Sequence, residues 1–336
     1  MNRLAIIGGG SWGTALAIAL APRYALPDER IALWTHEPDL AARMASSREN
    51  DVYLPGFALP VNVTPGSDLA DALDQTSVVL SVMPSRFVRQ IYEQMLPHLT
   101  SRMRFVSATK GIETGSLLRM SEVVRLVVGS RFEPRVAVLS GPTFAREIAR
   151  GEPAAVVISS EDRELAAGIQ QEFSGPNFRL YANDDPVGVE LGAALKNVIA
   201  IGAGISHGLG LGNNSIAALI TRGLAEITRL AVAMGGKPRT MAGLAGLGDL
   251  VLTCTGELSR NRSVGIELAR GRRLADIISA TTMIAEGVET TAAAVDLSRK
   301  FHTDMPITEQ MGRLLKNEVT PREAIRSLME RTLTEE

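Results

Sequence analysis

The sequence predicts two domains in a fixed order, an α/β domain with a doubly wound parallel sheet over residues 1–185 and an all-α domain over residues 186–336. Three observations carry this reading. The first half alternates short β-rich runs with amphipathic stretches, the pattern of parallel strands joined by crossover helices. A glycine cluster, Gly8-Gly9-Gly10-Ser11-Trp12-Gly13, falls directly between the first such run and the first amphipathic stretch. After about residue 185 the strand-like runs stop, and long segments rich in Ala, Leu and Gly follow. A length of 336 residues agrees with two domains of about 150 residues each.

Taken in order, the expected strands are Leu4–Ile7, Ile31–Trp34, Ser77–Val82, Arg104–Ser107, Val136–Leu139, Ala155–Ile158 and Phe178–Tyr181. Between them, apolar residues recur at helical spacing, as Phe87, Val88, Ile91, Tyr92 and Met95 do within Arg86–Leu96. The turn cluster Asn183-Asp184-Asp185-Pro186 marks the boundary. Beyond it, Val187–Gly204, Ser215–Met234 and Thr290–Arg299 read as helices. The uncharged stretch from Asn197 to Thr221 reads as buried helices joined by loops rather than a membrane span, which needs about 20 predominantly apolar residues.

Composition narrows the classes of function. With 35 Lys and Arg against 37 Asp and Glu, no broad basic field exists to gather nucleic acid or anionic membrane, so an anionic ligand needs local cations. A single cysteine, Cys254, cannot form an internal disulfide, which fits a reducing compartment. The four histidines show no ligand spacing, so no metal is expected. The start Met1-Asn2-Arg3 runs at once into Leu4–Ile7 and the glycines, too short an apolar run for a signal peptide, and a cytoplasmic location is expected.

The cluster Gly8–Gly13 fits G-x-G-x-x-G in the strand–turn–helix setting of a Rossmann dinucleotide site. Gly8 permits the tight turn, Gly10 lets backbone approach a pyrophosphate, and Gly13 lets helix pack on strand. The helix N-terminus supplies N–H donors. An NAD site usually places an acid at the tip of the second strand to hold the ribose hydroxyls. Here that strand ends Trp34-Thr35-His36-Glu37, with Glu37 two or three residues late. His36 then either faces a 2′-phosphate, which permits NADP, or is an ordinary loop histidine.

Three later segments go further: Ser140-Gly141-Pro142-Thr143-Phe144-Ala145, Gly192–Ala200 with Leu195-Lys196-Asn197 at its centre, and Gly243–Asn261. With the fingerprint and Ala285-Glu286-Gly287, they make the chain closely similar to bacterial-type NAD(P)-dependent glycerol-3-phosphate dehydrogenases over nearly its whole length. Thr143 stands where a serine is common and keeps the hydroxyl. The resemblance implies a Rossmann-type domain followed by a helical domain of the 6-phosphogluconate dehydrogenase-like kind. It implies Lys196 as the acid/base residue, assisted by Lys110 and Asp249. Substrate would be held by Lys110, Gly141, Thr143, Lys196, Asp249, Ser259, Arg260 and Asn261. Gly8, Gly10, Ser11, Trp12, Gly13, His36, Lys110, Ala145, Arg260 and Glu286 would line NAD(P)H; with no acid at the tip of the second strand, NADPH is the expected preference. The partners would be dihydroxyacetone phosphate and glycerol 3-phosphate, feeding phospholipid synthesis, in a homodimer without stable membrane insertion.

The residues can also be read without the family. Hydride transfer needs a proton or positive charge where a carbonyl oxygen becomes an alkoxide, and Lys196, alone in an uncharged stretch, is suited to this. Ser259-Arg260-Asn261-Arg262 offers a guanidinium, a hydroxyl and an amide just before a helix, either as a phosphate site or as a helix cap with a solvated arginine. Asp249 is either paired with a cation or an N-cap; in a pair with lysine, attraction and desolvation pull the lysine in opposite directions. Cys254 is either a small buried residue or a covalent thiol of the kind four-electron nucleotide-sugar dehydrogenases use. Two competing functions are a β-hydroxyacid dehydrogenase and a nucleotide-binding sensor without turnover.

Overall fold

Consecutive apolar residues in the central strands point alternately to the two faces of one sheet. Leu4, Ile6, Ile31, Leu33, Val78, Leu80 and Val106 pack in one core cluster. Their neighbours Ala5, Ile7, Ala32, Trp34, Val79 and Phe105 pack in a second cluster on the opposite face. The period of two in a strand forces this division, and a sheet covered on both faces reads as continuous apolar runs. A computed structural model describes residues 2–26, 28–280 and 285–332.

Among the described residues the strands are β1 (Asn2–Ile7), β2 (Arg30–Trp34), β3 (Glu49–Asn50), β4 (Leu54–Ala58), β5 (Val63–Gly66), β6 (Val78–Ser81), β7 (Arg104–Ser107), β8 (Arg135–Ser140), β9 (Ala154–Ser159) and β10 (Phe178–Asn183). Eight form one sheet in the order β10-β9-β8-β7-β6-β1-β2-β5, and β3 and β4 pair as a small antiparallel hairpin. All seven expected strands are present. The sheet is not wholly parallel, because β9 pairs antiparallel with β8 while β10 pairs parallel with β9. The connection from β8 to β9 holds only the five-residue helix Ala145–Ala149. At 1.5 Å per residue this spans about 7.5 Å, too short to return along a six-residue strand of about 20 Å, so the chain re-enters from the same end. The eleven-residue helix Arg163–Phe173 then permits the parallel crossover to β10.

The chain divides into two compact units, Met1–Lys110 with Leu118–Glu190, and Gly111–Leu117 with Leu191–Glu336. Among the described residues no strand follows β10. The helix Pro186–Gly208 has Asp185 at its start, whose carboxylate accepts the Gly188 N–H at 2.8 Å. It is long and apolar enough to cross a membrane by length and composition, but its most apolar window is wholly buried in the protein. Helix Arg260–Ala269 crosses it closely: a Cβ on Gly204 would collide with the Arg262 carbonyl, and one on Gly265 with the Ile201 carbonyl. Helix Asn213–Ala233 contributes Glu226, buried, whose carboxylate accepts the backbone N–H of Ile307 (2.6 Å) and Thr308 (3.1 Å) at the start of helix Pro306–Leu315.

Candidate active site

In the first unit the glycine cluster connects β1 to helix Ser11–Leu20. Gly8 has φ +129°, a conformation side chains disfavour, and a Cβ on Gly13 would collide with the Gly8 carbonyl. Nothing lies within 4 Å of where a Cβ on Gly10 would stand. Gly10 is the N-cap and no side chain caps the first turn, an arrangement that suits an anionic pyrophosphate at the helix N-terminus. Ser11 is buried, and Trp12 Nε1 is buried with no acceptor among the described residues.

The hairpin of β3 and β4 braces this turn. Asn50, fully buried, donates from Nδ2 to the Gly9 carbonyl and to Thr14 Oγ1, both at 2.8 Å. Beyond β2, His36 is exposed, its ring 6.1 Å from that of Trp34. Glu37 accepts from Thr35 Oγ1 at 2.6 Å and from Tyr53 Oη at 2.9 Å. Burial tends to raise the Glu37 carboxyl, but these two hydrogen bonds, together with a backbone hydrogen bond and the nearby His36, hold the group below the usual carboxylate range. Neither the hairpin nor β5 is foreseen from the sequence. Leu54-Pro-Gly-Phe-Ala and Val63-Thr-Pro-Gly carry proline and glycine, which are tolerated on short pairs and sheet edges.

Lys110 follows β7, and Gly141 and Thr143 follow β8; these strands are parallel neighbours, so their carboxyl ends lie side by side. Lys110 Nζ donates to the Gly141 carbonyl at 3.1 Å and lies 3.5 Å from Thr143 Oγ1, which itself donates to the Gly141 carbonyl at 3.1 Å. Ala145 opens the next short helix. Lys110, Gly141 and Thr143 are thus gathered at the strand ends, the usual ligand position in such sheets.

In the second unit Lys196 and Asp249 are both buried and form an ion pair. Lys196 Nζ also donates to Thr253 Oγ1 at 2.9 Å, and that hydroxyl donates to the Asp249 carbonyl at 2.6 Å. Asp249 is therefore the paired carboxylate and not an N-cap; Gly248 holds that place. Thr253 is absent from the sequence reading, although its i, i+4 relation to Asp249 on one helix was the available signal. Cys254 is buried, and burial pushes its thiol up to about 12, so it rests protonated near neutrality.

Ser259 caps helix Arg260–Ala269 by accepting the Arg262 N–H at 3.3 Å. Asn261 Oδ1 accepts the Gly287 N–H at 2.9 Å, one residue after Glu286 opens helix Glu286–Lys300. Burial draws the Arg260 guanidinium below its ordinary range, and the Glu286 carboxylate partly offsets this. Ser259, Arg260, Asn261 and Glu286 are thus brought together at two helix starts. The amide orientation of Asn261 leaves Nδ2 as its donor toward any ligand.

A Rossmann-type unit with an open glycine cradle, followed by a helical unit holding a buried lysine–carboxylate pair, defines a nicotinamide-dependent dehydrogenase. Residues 3–166 match the family described as NAD-dependent glycerol-3-phosphate dehydrogenase N-terminus, and residues 185–326 match its C-terminus. The chain belongs to the NAD-dependent glycerol-3-phosphate dehydrogenase family. It is 56% identical over 337 residues to a glycerol-3-phosphate dehydrogenase, NAD(P)+, of Koribacter versatilis, covering 100% of this chain and 99% of the relative. It is 49% identical over 335 residues to the similarly named protein of Citrifermentans bemidjiense, with the same coverage. The crystal structure of glycerol-3-phosphate dehydrogenase from Coxiella burnetii superposes with a TM-score of 0.92 at 39% identity, covering 98% of this chain and 99% of that one.

Proposed function

We propose that the chain catalyses NAD(P)-dependent interconversion of dihydroxyacetone phosphate and sn-glycerol 3-phosphate, the activity its relatives are named for. The observation that carries this reading is the buried Lys196–Asp249–Thr253 group on a chain that also carries the dinucleotide cradle. Gly8, Gly10, Ser11, Trp12, Gly13, His36, Lys110, Ala145, Arg260 and Glu286 hold the dinucleotide. When bound, its nicotinamide supplies hydride to, or takes it from, the C2 carbon of the substrate.

Lys196 holds the proton that the C2 oxygen gains on reduction and returns on oxidation. Asp249 stabilises the ammonium form, and the Thr253 hydroxyl fixes the direction of Nζ. A cation aimed at a developing alkoxide stabilises the transition state more than the ground state. Lys110, held by Gly141 and Thr143, assists at the substrate. Arg260, with Ser259 and Asn261, holds the phosphate, where a guanidinium can make two parallel hydrogen bonds.

The test is nicotinamide absorbance with dihydroxyacetone phosphate, run with NADH and NADPH separately and with 3-hydroxy acids as alternative substrates. Turnover of 3-hydroxy acids but not of glycerol 3-phosphate would instead place the chain among β-hydroxyacid dehydrogenases. Binding without turnover would make it a sensor. The proposal extends to a cytoplasmic homodimer that favours NADPH, supplies glycerol 3-phosphate for phospholipid synthesis and does not insert stably into membranes. Light scattering reads the assembly.

A further inference from the structure

The cofactor cradle is wired to the end of β2 by a closed ring of contacts. From the Gly9 carbonyl it passes to Asn50 Nδ2 (2.8 Å), and from Asn50 Oδ1 to the Tyr53 N–H (3.0 Å). It continues from Tyr53 Oη to Glu37 (2.9 Å) and from Glu37 to Thr35 Oγ1 (2.6 Å). It closes where a Cβ on Gly9 would stand 2.8 Å from Thr35 Cβ. Each oxygen of the Glu37 carboxylate takes one hydroxyl donor. Glu37 is also the first acid after β2, where an acid ordinarily receives the ribose hydroxyls of NAD and repels the 2′-phosphate of NADP.

We propose that Tyr53 is a specificity-determining positioning residue: with Thr35 it turns the Glu37 carboxylate away from the adenosine ribose, so that the site admits a dinucleotide bearing a 2′-phosphate. The hydrogen bonds that orient Glu37 also keep it ionised, so its negative charge is redirected rather than removed. With one donor lost, the carboxylate turns to the ribose 2′-hydroxyl, where it accepts a hydrogen bond from NAD and repels the dianion of NADP. This inference rests on the dinucleotide reading of the first unit and is independent of the substrate.

The experiment measures the affinities of 2′-phospho-ADP-ribose and ADP-ribose by calorimetry, beside kcat/KM for NADPH and NADH. Tyr53→Phe and Thr35→Val, each removing one donor with little change of shape, should both lower the ratio of 2′-phosphorylated to unphosphorylated ligand about three- to tenfold, the scale of one hydrogen bond to an exposed charge. Glu37→Gln should raise the ratio, and in that background Tyr53→Phe should have no further effect on it. An unchanged ratio in Tyr53→Phe, or equal loss of both ligands, would overturn the proposal and leave Tyr53 a brace of the hairpin. Failure of both ligands to bind the unmodified protein would overturn the dinucleotide reading and the inference with it.

Discussion

Replacing Lys196 by Met separates the energetic role of the buried pair from its chemical role. The variant keeps an unbranched side chain as far as Cε but leaves the Asp249 carboxylate, 1% exposed, without its ammonium partner. Loss of one partner from a buried pair costs about 3–5 kcal/mol, because the remaining charge stays desolvated. At about 2–4 °C per kcal/mol for a unit of this size, the melting temperature should fall by about 10 °C. Adding Asp249→Leu removes the stranded charge. An apolar pair of similar volume is commonly as stable as the ion pair, so the double variant should regain most of that loss. Neither variant can hold a proton at the substrate oxygen, so both should lose at least about 100-fold in kcat, while dinucleotide affinity stays near that of the unmodified protein. Thermal unfolding, nicotinamide absorbance and cofactor titration read the three quantities. A double variant that is stable and still turns over near the original rate would remove Lys196 from the mechanism. One as unstable as Lys196→Met would show that the cost is packing and not charge.

Arg260→Ala should cost about 2–4 kcal/mol in kcat/KM with dihydroxyacetone phosphate, and Arg260→Lys should already impair it, since the charge remains but the planar fork is lost. The preference over dihydroxyacetone, which lacks the phosphate, should shrink; an unchanged preference would assign the phosphate elsewhere. Cys254→Ala should keep full turnover, because its thiol is protonated near neutrality and hydride transfer needs no covalent sulfur; loss of turnover in a folded variant would revive thiol chemistry. Glu226 is raised to about 7 by burial, which its hydrogen bonds to Ile307 and Thr308 only partly offset. Its folded form therefore holds a proton more tightly than the unfolded chain, and stability should fall as pH rises from about 4.5 to 7. Denaturant melts across that range should show the slope in the unmodified protein and a flatter profile in Glu226→Gln.

Much of the fold could be read from the chain because its strands are covered on both faces and its glycines sit at fixed offsets. Leu4–Ile7 followed by Gly8–Gly13 specifies strand, turn and helix within ten residues. What escaped depends on distances the sequence does not express. The direction of β9 follows from a five-residue helix too short for a crossover, although Ala154–Ser159 looks like its parallel neighbours. Asn50 and Tyr53 lie in a hairpin of low strand propensity and reach the glycine turn and Glu37 only through the fold. In the helical unit, Lys196 stood out as the lone charge in a buried segment, and Asp249 as a carboxylate beside close-packed glycines. Thr253 did not, because a threonine inside a helix ordinarily bonds its own backbone, as this one also does.

The crossing of Gly204 and Gly265 acts as a gauge block. Lys196 lies eight residues before Gly204 on one helix, and Arg260 lies five residues before Gly265 on the other. With no side chain at the point of touch, backbone meets backbone there, and the offset between the two helices is set by atoms that have no rotamers to adjust. The spacing of the Lys196 and Arg260 backbones, from which the proton-bearing nitrogen and the proposed phosphate anchor extend, is therefore set in the main chain. On the proposed reading, the tolerance for substrate length resides in this crossing, so exchanging side chains around the ligand would alter affinity and charge preference while leaving the calibrated carbon count of the substrate in place.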